Sequence, residues 1–236
     1  MTLTKRAKND KELIKANGIC EVPEAVDFLK KATAVKFDAS VDMQLKLNAD
    51  ANASDQLVRG TTALPHGTGK VVRVVVLTRD ESGKAAKEAG ADEVGGDELV
   101  EKIMKGWLEF DVVVATPSMM KDIAKLGRVL GPRGLMPSPK AGTVTDDVEN
   151  AVKEIKKGRI EYKMDKQSNL HSSIGRMSFT NEQLIDNAKA FVNAIQAARP
   201  KTIKGDFIKA AHLSSTMGPG IKLDLAGILR EGAKNE

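Results

Sequence analysis

The segment ASVDMQLKLNAD, residues 39–50, alternates without a break. Val41, Met43, Leu45 and Leu47 fall on one side of an extended chain, and Asp42, Gln44, Lys46 and Asn48 on the other. That is the pattern of a strand with one face in a core and one in water. Residues 71–78, VVRVVVLT, read differently. They are β-branched and nearly all apolar, as a strand covered on both faces is. Two kinds of strand in one chain point to two kinds of sheet.

Working outward from 71–78, short apolar strands alternate with helical patterns. SGKAAKEAG and DELVEKIMKG predict two helices ending on glycines, FDVVVATP a second buried strand, SMMKDIAKLGRVLG a third helix capped by Ser118, and DDVENAVKEIKKG a fourth. Such alternation implies βαβ crossovers and a parallel sheet. The flanks repeat the one-face-polar pattern. RIEYKM, the turn DKQSN and LHSSIGRMSF predict a hairpin. NEQLIDNAKAFVNAIQAARP predicts a helix stopped before Pro200. FIKAAHLSSTMGPGIKLDL predicts two strands around a Gly-Pro-Gly turn. The chain before Lys36 reads as mostly helical, with Pro23 at the first position of a helix.

Antiparallel patterns on both sides of a parallel block imply an insertion. The expected fold is α/β in two domains. A split α+β domain with an antiparallel sheet comprises residues 1–67 and 159–236, and an inserted Rossmann-like parallel α/β domain comprises 68–158. The crossings fall at LPHGTGK and KKGRI, where Gly67, Gly69 and Gly158 offer the backbone freedom of a hinge.

Composition narrows the function. The chain has 236 residues, one cysteine (Cys20) and three histidines (His66, His171, His212) without metal-ligand spacing. The N-terminus is charged and lacks the apolar core of a signal peptide, so a cytoplasmic location is expected. GTGK does not make a phosphate loop: Leu64 stands where its first glycine belongs, Val71 replaces the Ser or Thr, and the glycines precede a strand rather than follow one. No catalytic, metal or cofactor constellation emerges, and the reading is of a non-enzyme. A small α/β enzyme with a nucleotide-binding middle domain is the rival that these missing motifs speak against. Charge is uneven: ten acidic residues against four basic ones lie between Asp80 and Asp111, within a chain of net charge +5. That asymmetry suggests a part facing a polyanion and an acidic part facing solvent.

Two segments carry the remaining signal. GRVLGPRGLMPSPKAGTVT, residues 127–145, is stiffened by Pro132, Pro137 and Pro139, which leave room for neither a continuous helix nor a central strand. Its cations are Arg128, Arg133 and Lys140, with Lys125 just upstream. HLSSTMGPG supplies hydroxyls from Ser214, Ser215 and Thr216 and glycines that permit close backbone approach; it suits RNA and equally suits an ordinary β-turn. With only eight aromatic residues, the chain is poorly equipped to stack on single strands. Folded RNA, read through phosphates, 2′-hydroxyls and shape, fits better.

Residues 126–144, LGRVLGPRGLMPSPKAGTV, followed by IKKGRIEYKMDK, closely resemble the signature of the L-one family of large-subunit ribosomal proteins. AVKFDASVDMQLKLNAD and SSTMGPGIKLDL resemble the same family near each end. The resemblance implies a two-domain fold with the second domain inserted, and a terminal domain that binds a helical junction of 23S ribosomal RNA. It further implies the mobile stalk beside the exit site, contact with departing deacylated tRNA, and repression of translation by binding the protein's own operon messenger. A chain that is monomeric when free, has no membrane partner and needs no cofactor is expected. Carried over by position, the RNA surface comprises Lys36, Phe37 and Ser40; Lys163, Asp165, Asn169, His171 and Ser173; and Ser214, Thr216, Met217, Gly218 and Gly220. A free-standing RNA regulator using the same surface is the alternative. Since the resemblance assigns RNA to the terminal domain, the 127–145 loop is expected to shape the inserted domain, with a secondary RNA or tRNA contact through Arg128, Arg133 and Lys140 left open.

Overall fold

The computed structural model describes residues 10, 18–32, 35–51, 53, 55–79, 82–203, 205–225 and 227. The helical reading of the chain ahead of residue 18 falls largely outside them. The chain forms two compact units, residues 1–69 with 160–236, and residues 70–159.

In the first unit, α1 (Val22–Lys31) begins on Val22, so that Pro23 takes the second position rather than the expected first, and it precedes β1 (Ser40–Leu47) and β2 (Arg59–Ala63). After the second unit come β6 (Arg159–Lys163), β7 (Asn169–Arg176), α7 (Asn181–Ala197), β8 (Ile208–Ser215) and β9 (Gly220–Leu223). The main sheet has the order β7-β1-β8-β9 and is antiparallel throughout. Val41, Met43, Leu45 and Leu47 point into one core with α1 and α7, which cover a single face. Thr180 starts α7 by accepting from the Gln183 amide, while the Gln183 side chain accepts from the Thr180 amide.

The expected hairpin of β6 with β7 does not form. Strand β6 pairs with β2 in a separate two-stranded sheet, and β7 pairs with β1. Arg59 Nε donates to Glu161 across the β2–β6 pair at 2.8 Å. Both segments are strands, as their alternation predicts, but pairing is decided by the partner that buries each inward face, and β1 is remote in sequence from β7.

The second unit contains β3 (Val74–Leu77), α2 (Ser82–Glu88), β4 (Glu93–Gly95), α3 (Asp97–Met104), β5 (Val112–Ala115), α4 (Met120–Ile123), α5 (Gly127–Leu130) and α6 (Val148–Lys156). Its sheet is parallel, in the order β4-β3-β5. Val75 and Leu77 pack with α3, α4 and α5, while Val74 and Val76 pack with α2 and α6. Coverage on both faces explains the unbroken apolar run. The short strand β4 carries no apolar run of its own and was not expected.

The third expected helix is broken into short 3₁₀ and α turns between Pro117 and Leu130. Ser118 lies inside the first turn rather than capping it; its hydroxyl meets that of Thr116, the residue before the turn, at 2.9 Å. A 3₁₀ turn also occupies Pro139–Ala141, with proline in the position where its missing N–H costs nothing. The 127–145 loop is thus built into the unit. Leu130, Pro137 and Ala141 are buried, and the Ala115 and Thr145 amides bind the carbonyls of Thr143 and Ala115. Among its cations, Lys125 is paired with Asp122 at 2.8 Å, whereas Arg128 and Arg133 are exposed; the Lys140 side chain is outside the described set.

The three glycines expected at the crossings have structural duties. Gly67 and Gly69 take φ of 67° and 70°, and Gly158 takes 100° at the end of α6. A side chain on Gly69 would meet the Phe179 ring at 2.8 Å. The segment before the crossing is docked onto the first unit.

Candidate nucleic-acid interface

The face of the main sheet opposite α1 and α7 is open and polar. Because directly opposed residues of antiparallel strands share a face, the register places the side chains in rows. Ser173 lies opposite Asp42, and Asp42 opposite Ser214, which faces Gly220. His171 lies opposite Gln44, then come His212 and Lys222. Asn169 lies opposite Lys46, then Ala210. Of the residues expected at the interface, Asn169, His171, Ser173, Ser214 and Gly220 come together here. Gln44 Nε2 donates to the Ser214 hydroxyl at 2.8 Å, tying two strands at the centre of the face.

At one rim the start of β1 and the end of β8 are clasped. The Thr216 amide donates to the Ser40 carbonyl at 3.0 Å, and the Ser40 amide donates to Thr216 Oγ1 at 3.2 Å. The Thr216 hydroxyl is therefore engaged with the protein and positions the turn. Two large apolar side chains stand in water within three residues of this clasp, Phe37 at 54% exposure and Met217 at 69%. Met217 has φ of 71°, a left-handed conformation that costs a residue with a side chain about 1–3 kcal/mol and is concentrated at functional sites. Gly218 follows it; a Cβ there would lie 2.1 Å from Ser215 Oγ, so the turn closes only without one or with Ser215 turned aside. The approach to β1 is pinned by Asp38, which accepts from the Ser178 amide and hydroxyl at 3.1 and 2.9 Å. Lys36, just before it, is exposed.

The opposite rim is the turn between β6 and β7. Asp165 accepts from the amides of Gln167 and Asn169 at 2.8 and 2.7 Å. These bonds, the one from the Asn169 amide foremost, hold its carboxyl below the usual range. This carboxylate builds the turn. Lys163 ends β6 outside the main sheet and is exposed, and Lys46 Nζ donates to the Gln167 carbonyl.

Elsewhere the titratable groups serve structure. Burial pushes the Cys20 thiol up, away from nucleophilic chemistry. In the second unit Asp92, Glu93, Asp97 and Asp111 each meet a lysine or arginine, so much of the acidic stretch is spent on ion pairs. Among the described residues no group of three His, Cys, Asp or Glu side chains is placed to hold a metal ion, and no helix is long and apolar enough to cross a membrane.

Residues 29–219 match the Ribosomal protein L1p/L10e family. The chain belongs to that family. Its relatives include the large ribosomal subunit protein uL1 of Protochlamydia amoebophila, 49% identical with 94% of each chain covered. The proteins of the same name from Persephonella marina and Thermosipho africanus are 51% and 52% identical, covering 93% and 94% of this chain and 92% and 97% of their own. The match to the Ribosomal protein L1p/L10e family spans both rims and most of the open face. The open face adds Asp42, Gln44, Lys46, His212 and Lys222 to the residues expected there. The alternation of residues 39–50 marked three of them as outward-facing, but only strand register reveals what they face.

Proposed function

We propose that this chain binds ribosomal RNA of the large subunit through the open sheet face and its two rims. Within the subunit it forms the mobile stalk beside the exit site and contacts deacylated tRNA leaving there. It also binds a similar RNA fold in its own messenger and represses translation. Membership of a ribosomal protein family, and end-to-end similarity to proteins named as large-subunit components, support the first part. The observation that carries the surface assignment is the clasped rim, where Ser40 and Thr216 hold Phe37 and a strained Met217 outward beside a polar face. One exposed ring cannot stack a run of bases. Hydroxyls, amides and scattered lysines suit the phosphates and 2′-hydroxyls of helical RNA.

The test combines cosedimentation of the chain with large subunits and filter binding to a stalk-junction fragment of 23S RNA over a salt series. Binding to both is expected, with log affinity falling linearly against log salt. Lys36→Ala or Lys163→Ala should each flatten that slope by about one unit. RNA binding without cosedimentation would instead mark a free-standing regulator, and binding to neither would overturn the proposal.

A further inference from the structure

The central row of the open face, His171–Gln44–His212–Lys222, has no part in the clasp. Its members are opposed strand by strand, each step being about 5 Å. Gln44 is fixed by Ser214, leaving an imidazole on either side of it. His171 is exposed and His212 half-buried, so both rings reach solvent or a ligand.

The charges around the rings leave lysines in excess. On β1 stand Asp42 and Lys46; on β9, Lys222, with Asp224 two residues beyond; on β8, Lys209, exposed at the bulge where the register with β1 shifts. From the β6–β7 turn, Asp165 Oδ2 lies 3.8 Å from His171 Nε2, and Lys166 in the same turn and Lys163 just before it are exposed. Helices α1 and α7 cover the other face and contribute none. Three carboxylates thus stand against five lysines, and each protonated histidine adds to the positive charge that this face offers a polyanion.

We infer that the row is a proton-linked phosphate contact, in which protonated His171 and His212 strengthen the grip of the sheet on RNA. The inference rests on the RNA-binding reading and deepens it. A protonated imidazole against phosphate offers a charge-assisted N–H donor; a neutral one offers at most a single uncharged N–H. RNA binding therefore takes up protons, and lowering pH through the ordinary histidine range tightens the complex.

Affinity of the full chain for the stalk-junction fragment, measured at about pH 8 and about pH 5.5, tests this. Between the two, wild-type affinity should rise by roughly fivefold to tenfold per histidine, as a charge-assisted contact replaces an uncharged one. His171→Gln and His212→Gln should each lose one factor, and the double variant should lose both. His212→Arg, carrying a fixed charge, should bind more tightly than wild type at the higher pH and show a smaller rise. A wild-type affinity independent of pH, or a rise that survives in the double variant, would overturn the inference while leaving the RNA-binding reading intact. Failure to bind the fragment at either pH would overturn both.

Discussion

Thr216 shows how much a single hydroxyl can organise. It accepts from the Ser40 amide and lies 3.4 Å from the Ser40 carbonyl as a donor, joining two strand ends far apart in sequence. Thr216→Val keeps the shape and removes the bond, and should lower stability of the first unit by about 1 kcal/mol, the net worth of one such hydrogen bond. Thr216→Ser should retain most of it. A urea midpoint for Thr216→Val equal to wild type would show that the clasp contributes nothing. Since Thr216 is uncharged, any loss of RNA affinity should leave the salt slope unchanged. Asp165 offers a second check. Its folded-state carboxyl is held low, so its contribution is present above the unfolded value of about 3.9 and is lost as pH falls through the folded one. Amide exchange of Gln167 and Asn169 should accelerate, relative to the rest of the first unit, as pH is lowered below about 4. Protection that stays level across that range would refute the role.

At the scale of elements, the chain leading out of β2 is held by α7. Asn187 is fully buried; its amide donates to the carbonyls of Gly67 and Ile174 at 2.9 and 2.7 Å and accepts from the His66 amide at 3.1 Å. One side chain thus joins α7, β7 and the segment 64–69. Asn187→Leu strands three backbone groups in or near the core and should cost about 3 kcal/mol. Tyr162, the only tyrosine, lies in the core that α7 covers and can report that transition. A loss below about 0.5 kcal/mol would mean that water replaces the amide readily. Proline at Gly67 or Gly69 would be a poor probe of hinge motion, because a ring fixed near −65° cannot adopt the positive φ found there.

For the whole molecule, the division of cores matters most. The core of the first unit draws on residues from Cys20 to Leu64 and from Tyr162 to Leu223, and those of the second on residues from Val74 to Ile155. None is shared. Deleting residues 70–159 and joining Gly69 to Ile160 through a short glycine linker should leave a cooperatively folding unit that binds the RNA fragment. Trp107, the only tryptophan, packs beside Phe110 in the second unit, so its fluorescence should follow that unit's unfolding in the full chain. An unfolded deletion product would show that the first unit depends on the second; a folded one without RNA affinity would move the interface.

Much of this was legible in the residues alone. Strict alternation at 39–50 and the nearly all-apolar run at 71–78 established one sheet open on one face and another covered on both, since burial acts residue by residue along a strand. The long loop signature and the SSTMGPG turn identified the family. Pairing was not legible: nothing local tells β6 to leave β7 for β2, because strand partners are chosen by which distant surface buries an inward face. Nor was the engagement of Thr216, whose partner Ser40 is brought close only by the β1–β8 register. His212 gave no local sign of its setting. Its place in a row with His171, Gln44 and Lys222 exists only once four strands lie side by side, for a lateral hydrogen-bonded register has no counterpart along the chain.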